Sequence, residues 1–241
     1  MKQLPWLTWR RTAPAAAVHA FTACGIVCAL LATQATLAAA YEMAFFWLGV
    51  ALFIDGIDGT FARRVRVWER LPRFSGEQLD HVVDYVTYVF VPALMLLQAG
   101  FVQGPSGLVL ASLICLSSLY HFSDTDSKTD DNCFVGFPAV WNIVALYIFA
   151  VPMPTWLVTC LILACVILTF VPLKWVHPVR VKHLWPLTAI ATAAWSIAAS
   201  TALYTGFPAT GWSKVIMIAV AAYVVALSLA WGRASSNGEI E

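Results

Sequence analysis

Four aspartates of this chain lie where charge is costly. Asp55 and Asp58 stand near the end of one long apolar stretch, and Asp80 and Asp84 lie within the next. A single aspartate at the centre of a membrane-spanning helix costs about 2.5–3.5 kcal/mol on insertion scales. Four such carboxylates need a compensating positive charge, so their presence indicates a functional site.

The spacing of these aspartates predicts how they face one another. Asp55 and Asp58 are three residues apart and Asp80 and Asp84 are four apart, so each pair shares a helix face. The segment between the pairs is short, which predicts antiparallel neighbouring helices with Asp55 and Asp84 lying deepest. Carboxylate oxygens suit Mg²⁺, Mn²⁺ or Ca²⁺. Four of them can hold two ions, the arrangement used for displacement at phosphorus.

Two other interpretations of the aspartates stay open at this point. The carboxylates could pair with Arg63 and Arg64, or they could carry protons or ions across a membrane. Glycines near the acids have two possible roles as well. Gly56, Gly59 and Gly76 either permit close helix packing or let a ligand approach the backbone.

The composition predicts a membrane protein. Of 241 residues, 61% are hydrophobic and 11% are charged, whereas a soluble domain has about 25% charged residues. The net charge is +1 and no long basic run is present, which argues against nucleic-acid binding. The six cysteines form no CxxC pair, so neither a zinc ribbon nor a redox pair is indicated.

The apolar pattern predicts an all-α fold, a polytopic membrane helix bundle of about eight transmembrane helices. A helix needs about 20 apolar residues to cross a bilayer. The predicted spans are 14–36, 41–62, 76–99, 107–123, 137–151, 155–172, 184–204 and 212–231. We predict a single domain over residues 1–241, with a cytoplasmic N-terminal segment at 1–13 and a polar cytoplasmic tail at 235–241.

The basic residues predict the orientation. With the N-terminus inside and eight spans, all of the fourteen Lys and Arg residues except Lys214 fall on the cytoplasmic side. Both termini and the four carboxylates are therefore predicted at that side. Arg10 and Arg11, followed by an apolar run that ends at Leu37-Ala38-Ala39-Ala40, also fit a cleaved signal peptide. The run is long for such a signal.

The residues around the aspartates resemble the signature of the CDP-alcohol phosphotransferase family. The matching positions are Asp55, Asp58, Gly59, Ala62, Arg63, Gly76, Asp80 and Asp84. The resemblance implies that the four aspartates hold two divalent ions, Mn²⁺ or Mg²⁺, with Asp84 also acting as general base. It implies that Gly59, Ala62 and Gly76 leave room for the cytidine nucleotide of CDP-diacylglycerol, and that Arg63 neutralises its phosphates. Related enzymes are commonly homodimers.

A second segment bears on the alcohol that accepts the phosphatidyl group. The run from Tyr120 to Asn142 combines acidic residues with aromatic ones, which suits a quaternary ammonium such as choline. It resembles the members of the family that use choline, in a bacterial inner membrane, to form phosphatidylcholine and CMP. The candidate choline contacts are Tyr120, Asp124, Trp141 and Asn142.

Several alternatives to this function remain from the sequence. The segment could be a solvated acidic loop beside interfacial aromatics. The acceptor could be serine, inositol or inositol phosphate, or glycerol phosphate. An ion-coupled transporter would be expected to show inverted repeats and broken spans in both halves, and no such pairing is evident.

Overall fold

The protein is described by a computed structural model over residues 5–124, 134–175 and 185–236, and this part is almost entirely helical. The helices are α1 (Pro5–Leu37), α2 (Tyr41–Val65), α3 (Val67–Arg70), α4 (Gly76–Asp84), a π-helical segment (Tyr85–Phe90), α5 (Val91–Gln98), α6 (Gly104–Ser123), α7 (Trp141–Ala150), α8 (Thr155–Thr169), α9 (Trp185–Thr205) and α10 (Gly211–Ser236). Two-residue strands, β1 (Phe134–Val135) and β2 (Lys174–Trp175), pair antiparallel.

Each predicted span corresponds to one helical stretch, and α4, the π segment and α5 together form the third. Six stretches are long and apolar enough to cross a membrane. The other two, α7 and α8, have 10 and 15 residues, or about 15 and 22 Å at 1.5 Å per residue. A bilayer core is about 30 Å thick. The all-α architecture is confirmed, and the chain is a multi-pass membrane protein.

Helix α7 is shorter than the predicted fifth span at 137–151. It begins only at Trp141, because Pro138 disfavours the helical conformation in the residue before it and Ala139 has a positive φ of 53°. The helix is nevertheless central. The Trp141 and Ile148 side chains are fully buried, and the Phe149 ring packs edge-on against Phe45 of α2.

Small residues let α1 and α2 pack closely. Ala29 and Ala32 of α1 and Ala44 of α2 are buried at the core, as expected where helix backbones approach in a membrane. Thr33 and Thr36 donate their hydroxyls to the carbonyl oxygens four residues earlier, both at 2.8 Å. Polar side chains are thereby satisfied within their own helix, which apolar surroundings require.

Two caps set the positions of the helices that carry the aspartates. Helix α2 ends at Val65, where Arg66 adopts a left-handed conformation and donates its N–H back to the carbonyls of Ala62 and Arg63. Helix α4 begins at Gly76, because the Ser75 hydroxyl accepts a hydrogen bond from the N–H of Gln78 at 3.2 Å. The chain thus reverses between the two pairs of aspartates.

The π segment after α4 has a local cause in the sequence. Proline has no N–H to donate, and its ring clashes with the carbonyl four residues earlier. For Pro92 that carbonyl belongs to Tyr88. The turn before Pro92 widens instead, and the N–H of Val91 bonds to the carbonyl of Val86, five residues back. Such π turns occur frequently at functional sites.

Candidate active site

Three of the four aspartates meet between α2 and α4. One carboxylate oxygen from each of Asp55, Asp80 and Asp84 lies within 4.8 Å of the others, and all three side chains are half-buried. Asp55 comes from α2, while Asp80 and Asp84 lie one turn apart on α4. Three negative charges held so closely favour a bound cation. The tertiary structure thus brings together two parts of the predicted motif.

The spacing of the three oxygens suits a divalent ion. Mg²⁺ binds oxygen at about 2.0–2.1 Å, so two oxygens on opposite sides of one ion are about 4.2 Å apart. Ca²⁺ accepts longer bonds of about 2.3–2.6 Å. A separation of at most 4.8 Å therefore allows one ion to contact all three carboxylates after small side-chain rotations. This group could hold a divalent metal.

Asp58 lies apart from that group. It stands three residues after Asp55 on α2 and is 6% exposed, but its oxygens are not among those within 4.8 Å of one another. A carboxylate so deeply buried is costly without a partner. Its predicted role as a metal ligand stays a prediction, and it would require the side chain to turn toward the group formed by Asp55, Asp80 and Asp84.

The basic residues at the end of α2 do not pair with the aspartates. Among the side chains that the structure describes, the salt bridge found joins Arg66 to Glu69 at 3.8 Å. The Arg63 guanidinium donates to the Thr60 hydroxyl at 3.3 Å, and Arg63 and Arg64 are both exposed. Pairing with these arginines therefore does not account for the buried carboxylates, and Arg63 remains accessible to an anionic ligand.

The glycines of α2 face open space. Among the described residues, a Cβ added at Gly56 would meet no atom within 4 Å, and one added at Gly59 would meet the Arg63 side chain at 3.5 Å. Tight helix packing therefore does not explain the lack of side chains at these positions. An open surface beside Asp55 and Asp58 is what the approach of a ligand to the backbone would need.

Gly76 and Ala62 have protein neighbours instead. A Cβ at Gly76 would lie 3.1 Å from Cε1 of His19 on α1, which is tighter than ordinary van der Waals contact. Ala62 packs with a small apolar cluster formed by Ala15, Val18 and Val67. Close packing therefore accounts for both small residues here, and their predicted part in making room for the nucleotide stays a prediction.

Tyr88 is a further residue at this site and was not among the predicted site residues. Its phenol donates a hydrogen bond to Oδ2 of Asp55 at 2.6 Å, and the side chain is 8% exposed. A signal was present, because Tyr88 continues the four-residue spacing of Asp80 and Asp84 and so extends their face of the helix. The ring of His81, next to Asp80, packs edge-on against Phe122, with the ring centroids 5.9 Å apart.

The four candidate choline contacts differ in accessibility. Tyr120, near the end of α6, is 57% exposed and packs its ring against Phe170 at 5.0 Å. Asp124 is exposed and caps the end of α6. Both are therefore open to a ligand, while residues 125–133 of the acidic segment lie outside the described residues.

The other two candidates are buried. Trp141 is fully buried and donates its indole N–H to the Ser118 hydroxyl at 2.8 Å. Asn142 is 5% exposed, and its Oδ1 accepts from the N–H of Ile143 at 2.9 Å. Neither presents an open face in this structure. Their part in binding choline stays a prediction that would require the packing around α7 to open.

Comparison with known proteins identifies the family. The family model for CDP-alcohol phosphatidyltransferase matches residues 16–123, which include all four aspartates. The phosphatidylcholine synthase of Rhizobium johnstonii is 39% identical over 223 residues, covering 92% of this chain and 90% of that protein. The enzyme of the same name from Agrobacterium fabrum is 39% identical, with 92% and 91% covered.

A third relative shows the same likeness. The phosphatidylcholine synthase of Pseudomonas aeruginosa is 41% identical over 180 residues, covering 75% of this chain and 76% of that protein. A transporter finds no support in these relatives, all of which are named as synthases. The chain therefore belongs to the CDP-alcohol phosphatidyltransferase family and is a membrane-embedded transferase.

Proposed function

We propose that the protein transfers the phosphatidyl group of CDP-diacylglycerol to choline, forming phosphatidylcholine and CMP. The observation that carries this proposal is the meeting of Asp55, Asp80 and Asp84 between α2 and α4, at the positions of the family signature. The names of the relatives support choline as the acceptor.

The reaction is a displacement at phosphorus. The choline oxygen forms a bond to the phosphorus that carries diacylglycerol, and the bond from this phosphorus to the CMP oxygen breaks. The choline hydroxyl proton must leave as this bond forms. Asp84 is the proposed acceptor of that proton, since it is half-buried at the end of α4 and a positioned base accelerates such steps by about 10²–10⁴-fold.

The residues present fit a divalent metal centre. Asp55, Asp80 and Asp84, joined by Asp58 after rotation, would hold two ions, Mn²⁺ or Mg²⁺. Such ions, when bound, neutralise the pyrophosphate and the charge that develops on the leaving phosphate. The open surface at Gly56 and Gly59 would receive the nucleotide.

Recognition of choline is assigned to the end of α6. The exposed ring of Tyr120 offers a face to a quaternary ammonium, and Asp124 adds a negative charge one turn further on. An acceptor that carries phosphate would be disfavoured beside this acidic segment. Choline itself has no phosphate, so it suits the segment.

The setting of the reaction follows from the basic residues and from the family resemblance. All Lys and Arg residues except Lys214 are predicted to be cytoplasmic, which puts both termini and the aspartates at the cytoplasmic face of a bacterial inner membrane. Lipid substrate would arrive from the bilayer and choline from water. Homodimer formation is the expectation for members of this family.

The test is transfer of labelled choline to lipid by the purified protein. The assay contains CDP-diacylglycerol and Mn²⁺ or Mg²⁺, with an EDTA control and with serine, inositol and glycerol 3-phosphate as rival acceptors. We expect metal-dependent phosphatidylcholine with one CMP released per lipid formed. CMP release only with another alcohol would refute choline as the acceptor. No CMP release with any acceptor, from folded protein, would refute the proposed reaction.

A further inference from the structure

A side-chain hydrogen bond joins the carboxylate of Asp55 to the π segment. The Tyr88 hydroxyl donates to Oδ2 of Asp55 at 2.6 Å, across 33 residues of sequence and between two helices. A hydroxyl that donates to a carboxylate makes a short, strong bond, typically about 2.5–2.7 Å. A carboxylate has two oxygens with several acceptor positions, so Asp55 can accept from Tyr88 and still offer oxygen to a metal.

The π segment helps to bring Tyr88 to this place. In an α-helix, residues four apart are rotated by about 400°, so a row of such residues drifts by about 40° at each step. The wider π turn after Asp84 reduces that drift, which keeps Tyr88 close to the face of Asp80 and Asp84. Because Pro92 causes the wide turn, the position of Tyr88 is built into the backbone. Tyr88 is also nearly buried, at 8% exposure.

We propose that Tyr88 is a positioning residue for the metal centre. It holds one oxygen of Asp55 and thereby fixes the rotamer that directs this carboxylate toward Asp80 and Asp84. The inference rests on the proposed metal-dependent function, but it concerns metal affinity rather than the choice of acceptor. Partners of this kind, which orient a metal ligand, change affinity or activity by about 10–100-fold when they are removed.

The experiment compares two tyrosines of the same π segment. Tyr88→Phe removes the bond to Asp55, whereas Tyr85→Phe removes a similar bond to the carbonyl of Cys115 at 3.0 Å and is the matched control. The affinity for Mn²⁺ alone is measured by electron paramagnetic resonance on the full chain in detergent, without substrate. Melting temperatures show whether both variants remain folded.

We expect Tyr88→Phe to raise the Kd for Mn²⁺ by about 10–100-fold and Tyr85→Phe to change it less than about twofold. In the transferase assay, Tyr88→Phe should raise the Mn²⁺ concentration needed for half activity and recover most of kcat at saturating Mn²⁺. Replacing Tyr88 by 4-aminophenylalanine, which keeps a donor on the ring, should restore the affinity, whereas a purely structural role would not distinguish it from phenylalanine.

Equal Mn²⁺ affinity in Tyr88→Phe and wild type would overturn the role of Tyr88 and leave the proposed reaction standing. A wild-type protein that binds Mn²⁺ but releases no CMP would refute the reaction, while a weaker affinity in Tyr88→Phe would still support the positioning role. No Mn²⁺ binding by wild type would overturn both. If Tyr88→Phe does not fold, 4-aminophenylalanine against 4-methylphenylalanine gives the same comparison.

Discussion

Two regions of the molecule differ in how their buried polar groups are partnered. Between α2 and α4, three half-buried carboxylates converge beside glycines that face open space. At α6 and α7, the indole of Trp141 is bonded to Ser118 and the amide of Asn142 to the backbone of Ile143. The second region has satisfied its buried polar groups internally. The first has gathered three like charges, an arrangement that suits a divalent cation.

This difference distinguishes a candidate catalytic site, around the aspartates, from a structural region, around Trp141 and Asn142. Carboxylates close together repel one another unless a positive charge lies nearby, so the group formed by Asp55, Asp80 and Asp84 could hold a divalent ion. Aromatic and amide groups that are bonded and fully buried stabilise the core and need no partner. Substitutions of the three aspartates should therefore change activity, whereas substitutions of Trp141 and Asn142 should change stability.

The largest effect is expected for Asp84→Asn, which removes both the proposed base and a metal ligand. Turnover should fall by at least about 10²–10⁴-fold, the usual contribution of a positioned base, and saturating Mn²⁺ should not restore it. Labelled-choline transfer measures this. Lys214→Ala, at the start of α10 and predicted to lie on the other side of the membrane, is the control and should remain nearly fully active. Comparable turnover in Asp84→Asn would remove the base from the proposal.

Trp141→Ala tests the second region. Truncation of a fully buried tryptophan costs about 3–5 kcal/mol of folding stability, so the melting temperature in detergent should drop strongly. Trp141→Phe should cost less, because it retains most of the apolar volume and loses the bond to Ser118. If either variant instead kept its melting temperature and raised the KM for choline, Trp141 would belong to the acceptor site.

Gly76→Ala tests whether the glycine at the start of α4 is needed for packing or for nucleotide binding. The added methyl would lie 3.1 Å from Cε1 of His19, and overpacking of this kind costs about 1–3 kcal/mol where the neighbouring side chain cannot shift. If packing is the reason for this glycine, His19→Ala should relieve the loss in the double variant, as both melting temperature and activity would show. If Gly76 instead makes room for the nucleotide, the KM for CDP-diacylglycerol should stay raised in the double variant.

The smallest effect is expected for Tyr120→Ala. A cation–π contact at an exposed ring is worth about 0.5–1 kcal/mol, so the KM for choline should rise about two- to fivefold with little change in kcat. Tyr120→Phe retains the ring face and should behave as wild type. Equal choline KM in Tyr120→Ala and Tyr120→Phe would move choline recognition away from the end of α6.

Much of the fold and of the aspartate site could be predicted because it depends on local patterns. The length of each apolar run predicted a helical stretch at every span. It overestimated the length of α7, because Pro138 and Ala139 keep the residues before Trp141 out of the helix. The spacing of Asp55, Asp80 and Asp84 predicted shared faces on two neighbouring helices, and the structure brings these three together. Asp58 shares the face of Asp55 in the sequence pattern but does not join the group.

The sequence by itself determined which residues could do chemistry and which stretches are helical and apolar, since these depend on residue type and on neighbours along the chain. Only the tertiary structure decided that Tyr88 reaches Asp55, that His19 presses on Gly76 and that Trp141 is closed to ligands. Those contacts depend on how each helix is rotated and placed against another. Many side chains fix that rotation together, so no single spacing in the sequence records it.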